Sequence, residues 1–99
     1  NMDKKTIVFD FDGVIHRYSK GWQNGSIYDK PVKGIKEVID ELRKDYKIVI
    51  VSTRSATEKG KNNIINWLKK YDIKVDDISE GIRNGGFGST DDNHIPHID

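Results

Sequence analysis

The chain contains no cysteine, which excludes disulfide scaffolds, thiolate metal sites and cysteine nucleophiles together. It has no apolar run long enough for a membrane span, and "NMDKK" leads into a short strand pattern without a signal-peptide core. Neither a membrane segment nor a leader is therefore expected, and a cytoplasmic location suits a chain without cysteines. An excess of charge of one sign is missing too. Lysines alternate with acids, the net charge is only +1, and nothing calls for a membrane or nucleic-acid partner. With 34% hydrophobic and 33% charged residues in 99, the chain is expected to be one small globular domain, 1–99, with little spare core. The oligomeric state is left open.

What is present follows an alternating order. Lys5 to Asp10 reads as a short buried strand around Ile7, Val8 and Phe9. Ile15 to Lys33 has no clean period and contains Gly21, Gly25 and Pro31, as a long loop would. From Gly34, Ile35, Val38, Ile39, Leu42 and Tyr46 recur at helical spacing, with charged residues on the other side. "KIVIV", Lys47 to Val51, is the strongest strand signal, a β-branched run between polar flanks. Ser55 and Glu58 fit a capping box before a second helix, whose inner face is Ile64, Ile65, Trp67, Leu68 and Tyr71, ending near Asp72. Ile73 to Ile78 is a candidate third strand. This order predicts an α/β fold with a parallel sheet and right-handed crossovers. Residues 79–99 are atypical, with four glycines between Gly81 and Gly88 and no apolar run.

Asp10 and Asp12, separated by Phe11 and followed by Gly13, end the first strand. Two carboxylates this close repel, increasingly so as water is excluded, so the pair calls for a cation, a proton or a reacting group to share. Ligands of open parallel sheets bind at the carboxyl ends of strands, where Ser52, Thr53 and Arg54 follow the second strand. A carboxylate nucleophile, a hard divalent ion and hydroxyl or amide donors together meet the needs of phosphoryl transfer.

"VFDFDGVIH" resembles the first motif of the haloacid dehalogenase superfamily, an apolar strand running into Asp-x-Asp-Gly, and "IVIVSTR" resembles its second. With the two helices, the likeness runs from about Thr6 to Ile78. It implies a Rossmann-like three-layer sandwich without a sizeable cap, and Mg²⁺-dependent hydrolysis of phosphate esters. In that resemblance Asp10 is the nucleophile that becomes an aspartyl-phosphate, and Asp12 is the general acid and base whose main-chain carbonyl also reaches Mg²⁺. Gly13 permits the sharp exit from the strand beside the phosphate, and Ser52 binds the phosphoryl group, with Thr53 as the other candidate hydroxyl. The superfamily's acidic metal motif falls on Asp91 and Asp92, which follow the poor strand pattern "GGFGST". No lysine follows Lys74, so Arg83 is the nearest cation to the place where the superfamily carries one. The alternative is a metal- or phosphate-binding relative with an incomplete C-terminal half-site.

Blander readings compete at several positions. An EF-hand is excluded because Val14 stands where a third oxygen ligand is needed, and a receiver domain separates its acidic pair from its phosphoacceptor. The blander reading of Ser52 and Thr53 is the start of a turn before the second helix, and Arg54 equally suits a salt bridge or a phosphate contact. Tyr18, Trp22 and Tyr28 either line a substrate entrance or pack the long loop onto the domain. Trp67 reads as core, and His94, His97 and Asp99 as a polar tail.

Overall fold

The computed structural model describes residues 4–80. Strand β1 (Lys5–Asp10) leads through the long loop to helix α1 (Ile35–Leu42) and strand β2 (Tyr46–Val51). A 3-10 turn (Thr53–Ala56), helix α2 (Glu58–Lys70) and strand β3 (Asp77–Ser79) follow. The three strands form one parallel sheet in the order β1-β2-β3. This is the expected α/β architecture. Among the described residues no helix is long and apolar enough to cross a membrane.

Strand alternation explains the core. Ile7 pairs with Ile48, Phe9 with Ile50, and Ile50 with Ile78, so these five side chains share one face. Ile35 and Ile39 from α1, and Ile64, Trp67 and Leu68 from α2, close over that face in a single cluster. Each fully buried isoleucine contributes about 2 kcal/mol. Val8 and Val51 project to the other face and are buried as well, as a parallel sheet requires.

Four local expectations are corrected. Tyr46 does not continue the first helix: α1 ends at Leu42, the chain turns through Arg43 to Asp45, and Tyr46 starts β2. Val38 is 48% exposed, because a helix of 8 residues presents a narrow stripe centred on Ile35 and Ile39. Strand β3 is only Asp77–Ser79, since the Ile73 amide bonds back to the Leu68 carbonyl as part of the exit from α2. The Ser55–Glu58 capping box does not form: Ser55 lies in the 3-10 turn and its hydroxyl donates to the Ser52 carbonyl. Thr57, with extended backbone, caps α2 by accepting from the Gly60 amide at 3.0 Å.

The stretch from Ile15 to Lys33 is irregular, as expected, but strongly cross-braced. The Val32 amide bonds to Ile15 O and the Arg17 amide to Lys30 O, which draws its two ends together. The Ser19 hydroxyl and amide donate to the Asp29 carboxylate, which these bonds hold below the usual carboxylate range. The Tyr28 hydroxyl donates to Gly21 O and accepts from the Lys20 amide. Asp29 then ties the loop to α2, because its carbonyl accepts from the Trp67 indole N–H at 2.9 Å. Trp67 is therefore core, as predicted, and an anchor besides.

Candidate functional site

Strand register brings the two motifs together. Asp10 is the Cα partner of Val51, so Phe11 and Asp12 leave the sheet beside Ser52 and the 3-10 turn. At Gly13 the backbone turns with φ +86°, a conformation that suits glycine, and a Cβ there would meet nothing within 4 Å. The glycine is required by the turn, not by crowding within the chain. Its amide donates to the His16 carbonyl at 2.7 Å, which closes a tight loop after the strand.

Asp12 is the centre of the cluster. Arg54 forks onto it, Nε to Oδ2 at 2.8 Å and Nη2 to Oδ1 at 3.1 Å. His16 Nδ1 lies 2.8 Å from the same Oδ1. The Asp29 amide donates to His16 Nε2 at 3.1 Å, so that nitrogen supplies the lone pair and Nδ1 carries the hydrogen directed at Asp12. Three N–H donors thus converge on one carboxylate. His16 is completely buried, stacked on Phe11 at 5.5 Å and edged by Trp67 and Tyr28. Arg54 is buried too, and its Nη1 donates to Gly25 O at 2.8 Å, tying the long loop to the strand ends.

Ser52 is buried at the carboxyl end of β2, and its Oγ accepts from the Arg54 amide at 3.2 Å. It begins a turn, as one of its two readings held, and it also lies at the strand end where a phosphoryl group would be met. Thr53 is exposed, one residue into the turn. Of the predicted site residues, Asp10, Asp12, Gly13 and Ser52 are gathered at one end of the sheet. Arg83, Asp91 and Asp92 lie outside the described residues.

Oxygen donors at the end of β1 suit a hard divalent ion, which binds through one or two carboxylates and completes its shell with water and substrate oxygens. Asp12's carboxylate is committed to Arg54 and His16, so Asp12 would reach such an ion through its main-chain carbonyl. Among the described residues no group of three or more His, Asp or Glu side chains is assembled for a metal.

His16 and the role of Arg54 were not legible in the sequence as parts of the site. A lone histidine in an aperiodic loop carries no spacing signal, and burial of an arginine three residues after a strand depends on contacts 42 positions away. The one available hint was charge: an acidic pair at a buried strand end needs a cation, and Arg54 is the nearest one after the partner strand.

A cavity of about 210 Å³ lies against this cluster, bounded by Trp22 and Asn24 from the loop, Arg54, and Lys59, Gly60 and Asn63 from α2. A larger one, about 500 Å³, lies between α2 and β3 and includes none of the predicted site residues. Compared with known proteins, the chain matches no family model, no curated protein and no solved structure.

Proposed function

We propose that the chain is a small, essentially capless domain of haloacid dehalogenase type, with a Rossmann-like layered fold, that hydrolyses phosphate monoesters with Mg²⁺. The observation that carries this reading is the convergence of two strand ends: the Asp10-Phe11-Asp12-Gly13 turn after β1 and Ser52 to Arg54 after β2, joined by the Arg54–Asp12 fork. A structural turn does not need an acidic pair at this place, and a phosphoryl-transfer site does.

In this mechanism Asp10 Oδ bonds to phosphorus as the ester P–O bond breaks, giving an aspartyl-phosphate. The resemblance assigns Asp12 the proton transfers. Its carboxylate, which accepts from Arg54 and His16 in this structure, takes a proton from the water that cleaves the acyl phosphate. It donates to the departing oxygen only once it carries a proton in place of a bond from Arg54. Arg54 and His16 fix the Asp12 carboxyl, and the Ser52 hydroxyl donates to a phosphoryl oxygen. Asp10 and the Asp12 carbonyl would hold Mg²⁺, with Asp91 or Asp92 as further ligands, and the ion would offset the charge of the carboxylates and the phosphate. Hydrolysis of p-nitrophenyl phosphate with Mg²⁺ or EDTA, in wild type and Asp10→Asn, tests this. Turnover lost both in EDTA and in the variant is the expected result.

A second reading has an observation of its own. The Asp12 carboxylate already accepts from three N–H groups, an arrangement that suits a fixed anchor. The domain would then bind Mg²⁺ and phosphate without turning substrate over. Folded protein that binds Mg²⁺ but releases neither p-nitrophenol from p-nitrophenyl phosphate nor inorganic phosphate from other phosphate esters supports this second reading over the first.

A further inference from the structure

Among the described residues Trp22 is the large apolar side chain beside the site that is exposed. It is 61% exposed, whereas His16, Phe11 and Trp67 close by are buried. A single exposed apolar residue needs no explanation. Trp22 differs because its position is fixed and it borders a cavity. Its ring lies 5.0 Å from the Arg54 guanidinium carbon and against Gly25, whose carbonyl accepts from Arg54. The loop that carries it is braced on both sides, by the Tyr28 hydroxyl and by the Ser26 amide bonded to Gln23 O. The backbone that carries the indole is therefore pre-set, which lowers the ordering cost for a ligand.

The cavity next to it has room for one ring system, well below the about 300 Å³ at which sites for larger ligands begin. Asn24 and Asn63 bring amide donors and acceptors to its rim, and Lys59 brings a positive charge. Arg54 is shared: it lines the cavity and grips Asp12. A group seated on Trp22 therefore lies beside the arginine that holds Asp12 at the end of β1. We infer that this cavity is the subsite for the alcohol portion of the substrate, and that it takes the base of a nucleoside monophosphate, stacked on Trp22 and edged by Asn24 and Asn63. The flat π-face selects a planar ring, the amides select one with polar edges, and the neighbouring Arg54 and Lys59 favour an attached phosphate.

The inference rests on the phosphatase reading for the position of the phosphate, but its test does not require turnover. Calorimetric titration of Asp10→Asn with adenosine 5′-monophosphate and with glycerol 1-phosphate reads binding alone. The expected result is tighter binding of the nucleotide, weakened about tenfold by adding Trp22→Ala and largely restored by Trp22→Phe, with glycerol phosphate unmoved. Equal binding of the two ligands, or an equal loss for both in Trp22→Ala, overturns the inference. Nucleotide binding that depends on Trp22 in a protein inactive on every ester keeps the subsite and removes the phosphatase reading.

Discussion

Two arginine–aspartate forks sit on this small sheet, and they differ in what surrounds them. Arg43, capping the end of α1, reaches Asp76 before β3, with Nη2–Oδ1 at 3.0 Å and Nε–Oδ2 at 3.4 Å. Asp76 also accepts from the Ile48 amide, and its own amide donates to the Ile48 carbonyl, both at 2.8 Å. Apart from Arg43, the partners of Asp76 extend the pairing of β2 with β3, and the side chains of this fork stay near one-third exposed. The Arg54–Asp12 fork is shorter and its arginine is far more buried, at 4% exposure against 34% for Arg43, while the two aspartates are similar. It joins no ladder. Instead it draws together a histidine, two strand ends, the long loop and a cavity. The lesson is that identical chemistry serves pairing at the start of a strand and assembles a site at the end of one, where loops converge.

The buried fork is most vulnerable at Arg54. Replacing it with methionine leaves the Asp12 carboxylate with His16 alone and strips Gly25 O and Trp22 of their shared partner. Removing one member of a buried pair leaves an uncompensated charge, and about 3 kcal/mol of stability should be lost. Urea unfolding of Arg54→Met against wild type measures it. A loss below about 1 kcal/mol would put this fork in the same class as the exposed one.

Gly60 sharpens the same point through its sign. It sits in the first turn of α2, where alanine is ordinarily better than glycine by about 1 kcal/mol. Here a Cβ would overlap the Arg54 carbonyl oxygen, a backbone atom that has no rotamer to escape through. The close approach of α2 to the 3-10 turn, and with it the placement of Arg54, depends on the missing side chain. Gly60→Ala should therefore destabilise by about 2 kcal/mol and weaken ligand binding at Trp22, although it improves helix propensity. Thermal unfolding decides it: a more stable variant would mean that α2 does not press on the turn.

Periodicity and local chemistry made the frame legible. The β-branched run from Lys47 to Val51 can bury on two faces, and Ile64, Trp67 and Leu68 fall on one side of a helix, so both appear where the sequence puts them. The Asp10–Asp12 pair was legible because close carboxylates at a strand end are costly without a partner. The partner was not. Arg54 looks the same in sequence whether it faces water or Asp12, and only tertiary contact decides. Boundaries were set by competition of the same kind: Ser55 lost its capping role to a 3-10 turn that uses its hydroxyl, and Val38 fell off the edge of a helix too short to bury a wide stripe. Arg83, Asp91 and Asp92 lie outside the described residues.

The smallest effect is expected at the other fork, and it carries a pH signature. Arg43→Met should cost about 1 kcal/mol at neutral pH, since Asp76 keeps the Ile48 amide and solvent is near. In the folded chain the Asp76 carboxyl is held below its ordinary value of 3.8, first by the hydrogen bond from Arg43 and then by that amide, against the opposing effect of burial. A carboxyl depressed in this way contributes stability that is present above the unfolded value and lost as pH falls through the folded one. Wild type should therefore lose stability on acidification below about pH 4. Without Arg43 the depression shrinks, so the loss is shallower and the two curves converge at low pH. Melting temperatures of both proteins across the acidic range test this. Parallel curves would show that the ion pair does not set the Asp76 titration, and that the exposed fork differs from the buried one by more than the depth of its burial.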